Sequence, residues 1–473
     1  MNREILNAKR FELNSNQFGE DFIWGVSSSA FQTEGATETA GKGLSIWDEF
    51  AKKKGAICNN DSPAITNNFY ENYKEDIALI KKLNIPSFRF SISWPRILPK
   101  GTGSINQSGI DFYHKVIDAC LEQGIEPFIT LYHWDLPKAL EEKGGWTNRE
   151  ILSWFEEYIT VCVNEYKQKV KYWMVLNEPS VFTGAGYFLG VHAPGRKGLN
   201  NFLPAMHHAL LCQAIGYKKI KAIDPVAQVG TTFSCTYITP LRYTVKDLNA
   251  AHRIDTLLNR AFIEPSLGLG YPTDTLPFLK GMNKYILKGD DELIKTKFDF
   301  IGLQNYTREV VEHNSYVPYL NAKIIPAEKR KVNLTAMKWE VYPKSISTMI
   351  KKFSQYNGVK KIIITESGAS FFDELHGNEI NDVERIQYIQ SYLEEVLWAK
   401  NNGGKVAGYF VWSITDNFEW AEGYKQRFGL VYVDYKTQKR TIKNSGHWYS
   451  KFLLNTKKVE EMKGSNLPGI SFF

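Results

Sequence analysis

The stretch YWMVLNEP, residues 172–179, is the part of the chain that most strongly indicates its fold. Residues 172–176 are an apolar run of aromatic and branched side chains, which predicts a strand buried on both faces. Glu178 and Pro179 follow where the chain must leave the sheet. In a parallel α/β barrel the carboxyl ends of the strands carry the chemistry, so Glu178 is a candidate catalytic carboxylate. The alternative is a solvated glutamate that opens the next helix.

A second stretch, KIIITESG at residues 361–368, repeats this pattern, because a run of isoleucines ends in Thr365 and Glu366. Glu366 lies 188 residues after Glu178, which places the two carboxylates on well-separated strands. Strands that far apart in a closed ring can face each other across its mouth. Two carboxylates across a cleft suit glycosidic bond cleavage, in which one protonates the leaving oxygen and the other acts at the anomeric carbon.

Apolar segments alternate with amphipathic segments along the whole chain, as expected of repeated βα units. We predict eight strands, at residues 22–26, 87–94, 126–132, 172–176, 227–233, 298–304, 361–365 and 406–412. The helices are predicted at residues 66–83, 110–122, 151–166, 203–223, 245–260, 290–295, 343–356, 382–401 and 444–454. Residues 306–337 show no clean periodicity and are predicted to form a long loop with a short hairpin. The pattern predicts one α/β domain over residues 1–473, a (β/α)8 TIM barrel with long βα loops.

Composition and charge narrow the classes of function. The net charge of +7 comes from scattered basic residues, with no basic stripe interleaved with aromatics, so nucleic acid is not an expected partner. The five cysteines form no C-x-x-C pair, which favours buried thiols in a reducing compartment over a disulfide framework. No signal peptide or membrane-spanning run is visible, so we expect a cytoplasmic protein without a membrane partner. The oligomeric state is not predicted.

The two glutamate motifs resemble the acid/base T-x-N-E-P and nucleophile [IV]-T-E-N-G signatures of the β-glucosidase-like family 1 glycoside hydrolases. The resemblance runs from Phe22 to about Tyr449, with further motifs in the family's order. It implies a retaining exo-β-glycosidase without metal or cofactor, in which Glu366 is the nucleophile and Glu178 the acid/base. The implied substrates are unphosphorylated small β-glucosides and oligosaccharides, with β-galactosides and β-fucosides as alternative glycones.

Two more residues are candidates for holding the nucleophile ionised. Arg89 ends the FRF segment of the second predicted strand, and by resemblance it contacts Glu366. Taken alone, Arg89 could equally form a structural ion pair. Tyr306 matches the family tyrosine that donates a hydrogen bond to the nucleophile.

Sugar hydroxyls need polar side chains at strand ends, backed by an aromatic platform. By resemblance, Asn177 holds the 2-hydroxyl and Trp339 packs against the leaving group, with Val181, Phe188 and His192 as further candidates nearby. The remaining substrate-binding candidates are Gln32, His133, Trp412, Glu419 and Trp420. Taken alone, His133 or Trp412 would more often be a core residue.

The stretch after Glu419 separates two substrate classes. Family members that act on 6-phosphoglycosides carry Ser at this position, then a phosphate-binding Lys and a Tyr where this chain has Gln426 and Phe428. A carboxylate at position 419 would repel a phosphate dianion, which favours unphosphorylated sugars.

Three positions depart from the family's pattern, namely Val175, Ser367 and Gln304. Each is expected to alter hydrogen bonds near the glutamates without removing a catalytic group.

Other functions would require different features in the sequence. Transglycosylation would use the same intermediate and an acceptor alcohol, and the residues do not distinguish it from hydrolysis. A sugar-binding protein without turnover would be expected to lack a catalytic glutamate, and both are present. A barrel oxidoreductase or metal hydrolase would need a phosphate-binding glycine loop or an H-E-x-x-H motif, which the sequence lacks.

Overall fold

Eight parallel strands close into a barrel in the computed structural model, which describes residues 13–464. The strands are β1 Ile23–Ser27, β2 Ser87–Ser91, β3 Glu126–Tyr132, β4 Tyr172–Asn177, β5 Gln228–Ser234, β6 Phe300–Gln304, β7 Ile362–Ser367 and β8 Val406–Trp412. Around the ring the order is β1, β8, β7, β6, β5, β4, β3, β2, so every strand pairs with its neighbours in the chain. The predicted (β/α)8 barrel is confirmed.

Helices surround the barrel and cover its outer face. The α-helices are Ala30–Thr33, Ile46–Ala51, Phe69–Lys82, Trp94–Ile97, Gln107–Glu122, Lys138–Glu141, Ile151–Tyr166, Pro179–Thr183, Leu199–Ile223, Val245–Asp255, Ile263–Ser266, Asp290–Ile294, Lys344–Ser354, Val383–Asn401 and Asn444–Gly464. Two π-helical turns, Gly184–Leu189 and Thr256–Arg260, follow directly on α-helices. None of the helices within residues 13–464 has both the length and the apolar content needed to span a bilayer.

Local sequence accounts for where these helices form and end. In Phe69–Lys82 the side chains of Phe69, Ile77 and Ile80 recur at helical spacing and are buried against the barrel. Gly124 lies two residues beyond the end of the helix Gln107–Glu122, and its φ of +68° is a left-handed conformation that glycine adopts without steric strain.

The barrel interior is apolar at its amino-terminal end. Phe128, Met174, Phe300, Ile363 and Phe410 form a cluster inside the ring. Their strand neighbours, such as Ile129 and Trp173, pack outward against the helices, as the two-residue period of a strand requires. This cluster closes one end of the barrel.

The second strand is shorter than predicted, and one strand outside the barrel was not predicted. The second strand ends at Ser91, and residues that follow it form the short helix Trp94–Ile97. The hairpin predicted within residues 306–337 is present as Arg308–His313 and Ala322–Ile324. It forms a three-stranded sheet with Tyr237–Pro240, a strand not predicted because its partner lies about 70 residues later.

A second hairpin, which was not predicted, is formed by Val431–Val433 and Arg440–Ile442.

All five cysteines are free thiols. Four are buried and Cys58 is partly exposed.

Candidate active site

A cavity of about 360 Å³ opens at the carboxyl end of the strands. Nine of the predicted site residues line it: Gln32, His133, Glu178, Tyr306, Trp339, Glu366, Trp412, Glu419 and Trp420. Arg89 and Asn177 lie beneath its floor, where they contact each other and Arg89 also contacts Glu366. The fold therefore brings all eleven predicted residues together.

Irregular pairing in two strands turns the key side chains toward this cavity. The register of β4 against β5 shifts between Met174 and Asn177, and that of β7 shifts after Ile364. Met174 and Ile363 belong to the apolar cluster inside the barrel, so a regular strand would point residues 177 and 366 outward. An irregularity of one residue reverses this, a known use of β-bulges beside active sites.

Glu366 receives hydrogen bonds from three side chains. Arg89 Nη1 and Gln304 Nε2 donate to Oε1 at 2.5 and 2.6 Å, and the Tyr306 hydroxyl donates to Oε2 at 2.6 Å. Charge-assisted hydrogen bonds of this length favour an ionised carboxylate. Gln304, one of the departures from the family pattern, thus supplies a donor directly to this carboxylate.

The Arg89 guanidinium, which is fully buried, links Glu366 to the rest of the floor. Its Nε donates to Thr130 Oγ1 at 3.0 Å, and its Nη2 donates to Asn177 Oδ1 at 2.6 Å. Gln304 Nε2 also donates to Asn177 Oδ1, at 2.7 Å. These contacts hold the Asn177 amide in one orientation, with Nδ2 3.0 Å from His133 Nε2.

Glu178 occupies a strained turn between β4 and the helix that begins at Pro179. Its backbone is left-handed, with φ 45° and ψ 65°, a conformation that costs a residue with a side chain about 1–3 kcal/mol. The Glu178 amide donates to the Thr232 carbonyl of β5 at 3.1 Å, which anchors this turn to the neighbouring strand.

The two glutamates differ in what stabilises their charge. Burial and the nearby Glu366 carboxylate raise the pKa of Glu178 well above its ordinary value. Burial also raises the pKa of Glu366, but Arg89 and the Tyr306 hydroxyl oppose that rise. Because the cation contacts Glu366, the negative charge of this pair is better stabilised on Glu366 than on Glu178.

The inner end of the cavity combines aromatic surfaces with polar groups. The His133 ring lies nearly parallel to those of Trp412 and Trp420, with centroids 6.1 and 5.9 Å away. Gln32 Nε2 lies 3.3 Å from Glu419 Oε2. Burial and Glu366 raise the pKa of Glu419 to about 8, and burial lowers the pKa of His133 well below its ordinary value.

The outer end of the cavity is formed by Trp339, whose ring lies 5.5 Å from that of Tyr306 and 6.2 Å from that of Phe428. Val181 and His192 line the cavity as predicted. Phe188 does not. It lines a neighbouring cavity instead.

Further cavity residues were not predicted. They are Trp134, Ser234, Cys235, Thr236, Thr307, Glu309, Met337, Ala421 and Glu422. Trp134 directly follows His133, so its position at a strand end was an available indication. Glu309 lies on a strand within the segment predicted as a loop, and burial raises its pKa to about 7.

Val175, another departure, lies away from the chemistry. It is fully buried on the outer side of β4 and packs against Gly216 of the helix Leu199–Ile223. A Cβ at position 216 would lie 2.5 Å from Val175 Cγ1, so the glycine lets the helix approach the strand. Among the described residues, no cluster of three or more His, Cys, Asp or Glu side chains is arranged to hold a metal ion.

Comparison with known proteins identifies relatives along nearly the whole chain. The model of "Glycosyl hydrolase family 1" matches residues 14–458. "Beta-glucosidase A" of Thermotoga maritima is 41% identical over 445 residues, covering 94% of this chain and 99% of that protein. A "6-phospho-beta-galactosidase" of Clostridium acetobutylicum is 32% identical, covering 94% of this chain and 98% of its own.

Solved structures agree with the sequence comparison. The β-glucosidase from Thermotoga maritima in complex with deoxynojirimycin superposes with a TM-score of 0.89 at 40% identity. The match covers 92% of this chain and 98% of that chain.

Proposed function

The chain belongs to glycosyl hydrolase family 1 and is a retaining, exo-acting β-glucosidase, and we propose that Glu366 is its nucleophile and Glu178 its acid/base. The observation that carries this assignment is the unequal support of the two carboxylates. Arg89, Gln304 and Tyr306 donate to Glu366, whereas burial raises the pKa of Glu178 well above its ordinary value. A nucleophile must be ionised and an acid must carry a proton, which matches this division.

In the first step, the ionised Glu366 attacks the anomeric carbon while the bond from that carbon to the leaving oxygen breaks. Glu178 gives its proton to that oxygen, so the aglycone departs as a neutral alcohol. In the second step, the Glu178 carboxylate accepts a proton from water, whose oxygen attacks the anomeric carbon. The bond to Glu366 breaks, and glucose leaves with its original β configuration.

The glycone binds at the inner end of the cavity. The Trp412 ring provides the apolar surface under the sugar, and Gln32, His133, Glu419 and Trp420 bind the hydroxyls remote from the scissile bond. Asn177 holds the 2-hydroxyl. Its Oδ1 already accepts from Arg89 and Gln304, so Nδ2 is the group oriented to donate.

Charge repulsion by Glu419 does not by itself explain a preference for unphosphorylated sugars. Because the pKa of Glu419 is raised to about 8, this group is mostly protonated at pH 7 and repels a phosphate less than a carboxylate would. Glu422 also lines the cavity, whereas Lys425 is exposed and does not. No described residue that lines the cavity is a lysine or arginine, so a 6-phosphate would be desolvated without a cation.

The test is hydrolysis of 4-nitrophenyl β-glucoside, with proton NMR of the sugar as it is released. We expect β-glucose first, followed by slow mutarotation. Direct release of α-glucose would contradict the retaining mechanism. The 6-phospho-β-glucoside should be turned over at least tenfold more slowly, and a preference for it would contradict the substrate assignment.

A second measurement tests the residue assignments. A 2-deoxy-2-fluoro-β-glucoside with a good leaving group should trap a glycosyl enzyme, and peptide mass mapping should place the label on Glu366. The Glu366→Ala variant should lose activity by about 10⁴-fold or more. Azide should restore turnover in that variant and yield α-glucosyl azide, because the anion attacks from the face that the carboxylate has vacated.

A further inference from the structure

The helix Val383–Asn401 places two tyrosine side chains against the segment that carries Tyr306. Tyr388 and Tyr392 are four residues apart, so they lie on the same face of the helix. Their rings stack with centroids 4.0 Å apart, and both side chains are buried. The helix therefore presents the two hydroxyls side by side to one point at the carboxyl end of the barrel.

Both hydroxyls bind the same backbone atom. Tyr388 donates a hydrogen bond to the Tyr306 carbonyl at 2.8 Å, and Tyr392 donates to the same carbonyl at 2.9 Å. A carbonyl oxygen has two lone pairs, so two donors use its full capacity. One donor is enough to satisfy a carbonyl, and the second also fixes the direction in which it points.

The Tyr306 segment depends on such contacts because it lies beyond the end of β6. The preceding residue, Asn305, still donates its amide to a carbonyl of β7 at 3.1 Å. At Tyr306 the pairing with neighbouring strands has ended. Among the hydrogen bonds of the described residues, those from Tyr388 and Tyr392 are the ones that hold the Tyr306 backbone.

The other end of Tyr306 contacts the nucleophile. Its hydroxyl donates to Glu366 Oε2 at 2.6 Å, a charge-assisted hydrogen bond that depends strongly on distance. The ring is rigid and packs against that of Trp339, with centroids 5.5 Å apart. A displacement of the Tyr306 backbone therefore moves this hydroxyl, and catalytic groups have to be held within about 0.5 Å of their working geometry.

We propose that Tyr388 and Tyr392 are positioning residues for catalysis, which fix the Tyr306 backbone and thereby hold its hydroxyl where it stabilises the ionised nucleophile. The proposal rests on the function assigned above, in which Glu366 attacks the anomeric carbon. It extends the catalytic machinery to the buried face of a helix whose described residues do not line the catalytic cavity.

The two positioning hydroxyls keep their protons over the pH range of an assay. Burial raises the pKa of Tyr388 and that of Tyr392 above the ordinary value of a tyrosine. Both therefore remain hydrogen-bond donors, and a change in the pH profile of a variant does not come from their own titration.

Displacement of the Tyr306 hydroxyl should instead change the titration of Glu366. Burial raises the pKa of Glu366, and Arg89 and the Tyr306 hydroxyl oppose that rise. The other titratable groups that face it are Glu178 and Glu419. When the hydroxyl moves away, the pKa of Glu366 rises, so the ionised nucleophile is lost at a higher pH on the acid side of the profile.

The test removes both hydroxyls and keeps both rings. The variant Tyr388→Phe/Tyr392→Phe should lower kcat/KM for 4-nitrophenyl β-glucoside by about tenfold, a fraction of the roughly 10²-fold that a misplacement of 1 Å costs. The acid limb of its pH profile should move up by about 0.3 pH unit or more. The Ki of methyl β-thioglucoside, which resists hydrolysis, should stay within about twofold, because the contacts to the sugar are unchanged.

The single variants separate the two contacts and serve if the double variant fails to fold. Each leaves one donor on the Tyr306 carbonyl, so each should lose about threefold in kcat/KM. Tyr388→Phe is the cleaner of the two, because the Tyr392 hydroxyl also accepts a hydrogen bond from the Tyr342 amide at 3.3 Å.

Tyr409→Phe is the matched control. Tyr409 is a fully buried tyrosine of β8 that lies beside Tyr388, and no hydrogen bond of the described residues joins its hydroxyl to Tyr306. This variant should keep kcat/KM within about twofold and leave the acid limb in place. A loss as large as that of the double variant would mean that any buried hydroxyl at this interface has the same effect, and the proposal would be wrong.

A further experiment asks whether the two residues act through Tyr306. In the Tyr306→Phe background the hydroxyl that they position is gone, so adding Tyr388→Phe and Tyr392→Phe should cost less than about twofold in kcat/KM. A tenfold loss in this background too would show that they act on another group, and it would overturn the proposal.

Failure of the proposed function would give a different pattern. The wild-type enzyme would then hydrolyse no β-glucoside, or the trapped label would lie on a residue other than Glu366. If the wild type is active and labelled at Glu366 while the double variant matches it in kcat/KM and in the acid limb, the positioning role alone is refuted.

Discussion

Two groups of buried charges near the carboxyl end of the barrel differ in how their charges are balanced. The paired cluster joins three carboxylates to three cations, namely Asp373, Asp382, Asp416, Arg385, Arg427 and Lys443. The catalytic cluster combines Glu178, Glu366 and Glu419 with Arg89, which contacts Glu366. One group has a cation for each carboxylate, and the other has one cation for three.

The pKa values follow this difference in balance. Although burial alone would raise the pKa of Asp373, Lys443 and Arg385 hold it below its ordinary value. In the catalytic cluster burial dominates, and the pKa values of Glu178 and Glu419 are raised. Charges that are paired stay ionised and help to hold the fold together. A carboxyl group without a nearby cation keeps its proton and is available as an acid.

The largest expected effect on stability comes from breaking the paired cluster. Asp373→Asn leaves Lys443 and Arg385, both buried, with one partner fewer, and should lower the free energy of unfolding by about 3–5 kcal/mol. Guanidinium chloride titration should show the lower midpoint, while kcat of the folded protein stays within about threefold of wild type. Glu419→Gln is the matched control, because it removes a buried carboxyl group that lacks a cation. Equal losses in the two variants would contradict the distinction between the clusters.

The second prediction concerns Glu178 as the proton donor in catalysis. Because its pKa is raised, the acid form is lost as pH rises, and kcat/KM for methyl β-glucoside should fall through that pKa. Glu178→Gln should remove this alkaline limb and lower kcat/KM for methyl β-glucoside by about 10²–10⁴-fold. Loss of kcat/KM on 2,4-dinitrophenyl β-glucoside should be at least tenfold smaller, since that leaving group needs no proton. Equal losses on both substrates would argue against the acid role.

The smallest effect is the pH dependence of stability. A carboxyl group whose pKa is raised on folding binds its proton more tightly in the folded state, so stability falls as pH rises from about 4 to about 8. The free energy of unfolding of Glu419→Gln relative to wild type should therefore be about 2–4 kcal/mol higher at pH 9 than at pH 5, since each pH unit between the two pKa values costs the wild type about 1.4 kcal/mol. Asp373 has the opposite sign, since its depressed pKa adds stability that is lost as pH falls below about 4. If Glu419→Gln changes the free energy of unfolding by the same amount at pH 5 and at pH 9, titration of this group is not the cause.

Much of the fold could be predicted from local patterns. The strands Glu126–Tyr132 and Val406–Trp412 and the helix Ile151–Tyr166 have the predicted bounds, because their burial pattern and their ends are both visible in a short window. The strand Tyr237–Pro240 was missed because its partner, Arg308–His313, is distant in the chain. Pairing of this kind leaves little trace in either segment alone.

In the candidate site, too, some features follow from the local sequence and others from contacts between distant segments. Glu178 and Glu366 could be recognised because each ends an apolar run. The resemblance to the family, which the comparisons confirm, indicated the other candidate site residues. The role of Gln304 could not be predicted, since its donation to Glu366 depends on the geometry of two neighbouring strands. Phe188 was assigned to the wrong cavity, because the residues opposite it come from helices far along the chain.

The order of residues along the chain therefore established which chemical groups are present and that a barrel would carry them at its carboxyl end. Periodicity is a local property, and it sets which segments are strands and which are helices. Where the side chains point, how charges balance and where cavities lie depend on contacts between distant residues. The contact of Gln32 with Glu419 spans 387 residues, and the strand irregularities at Asn177 and Glu366 exist only against their neighbours in the closed ring. Only the closed barrel determines which carboxylate has a cation and which keeps its proton.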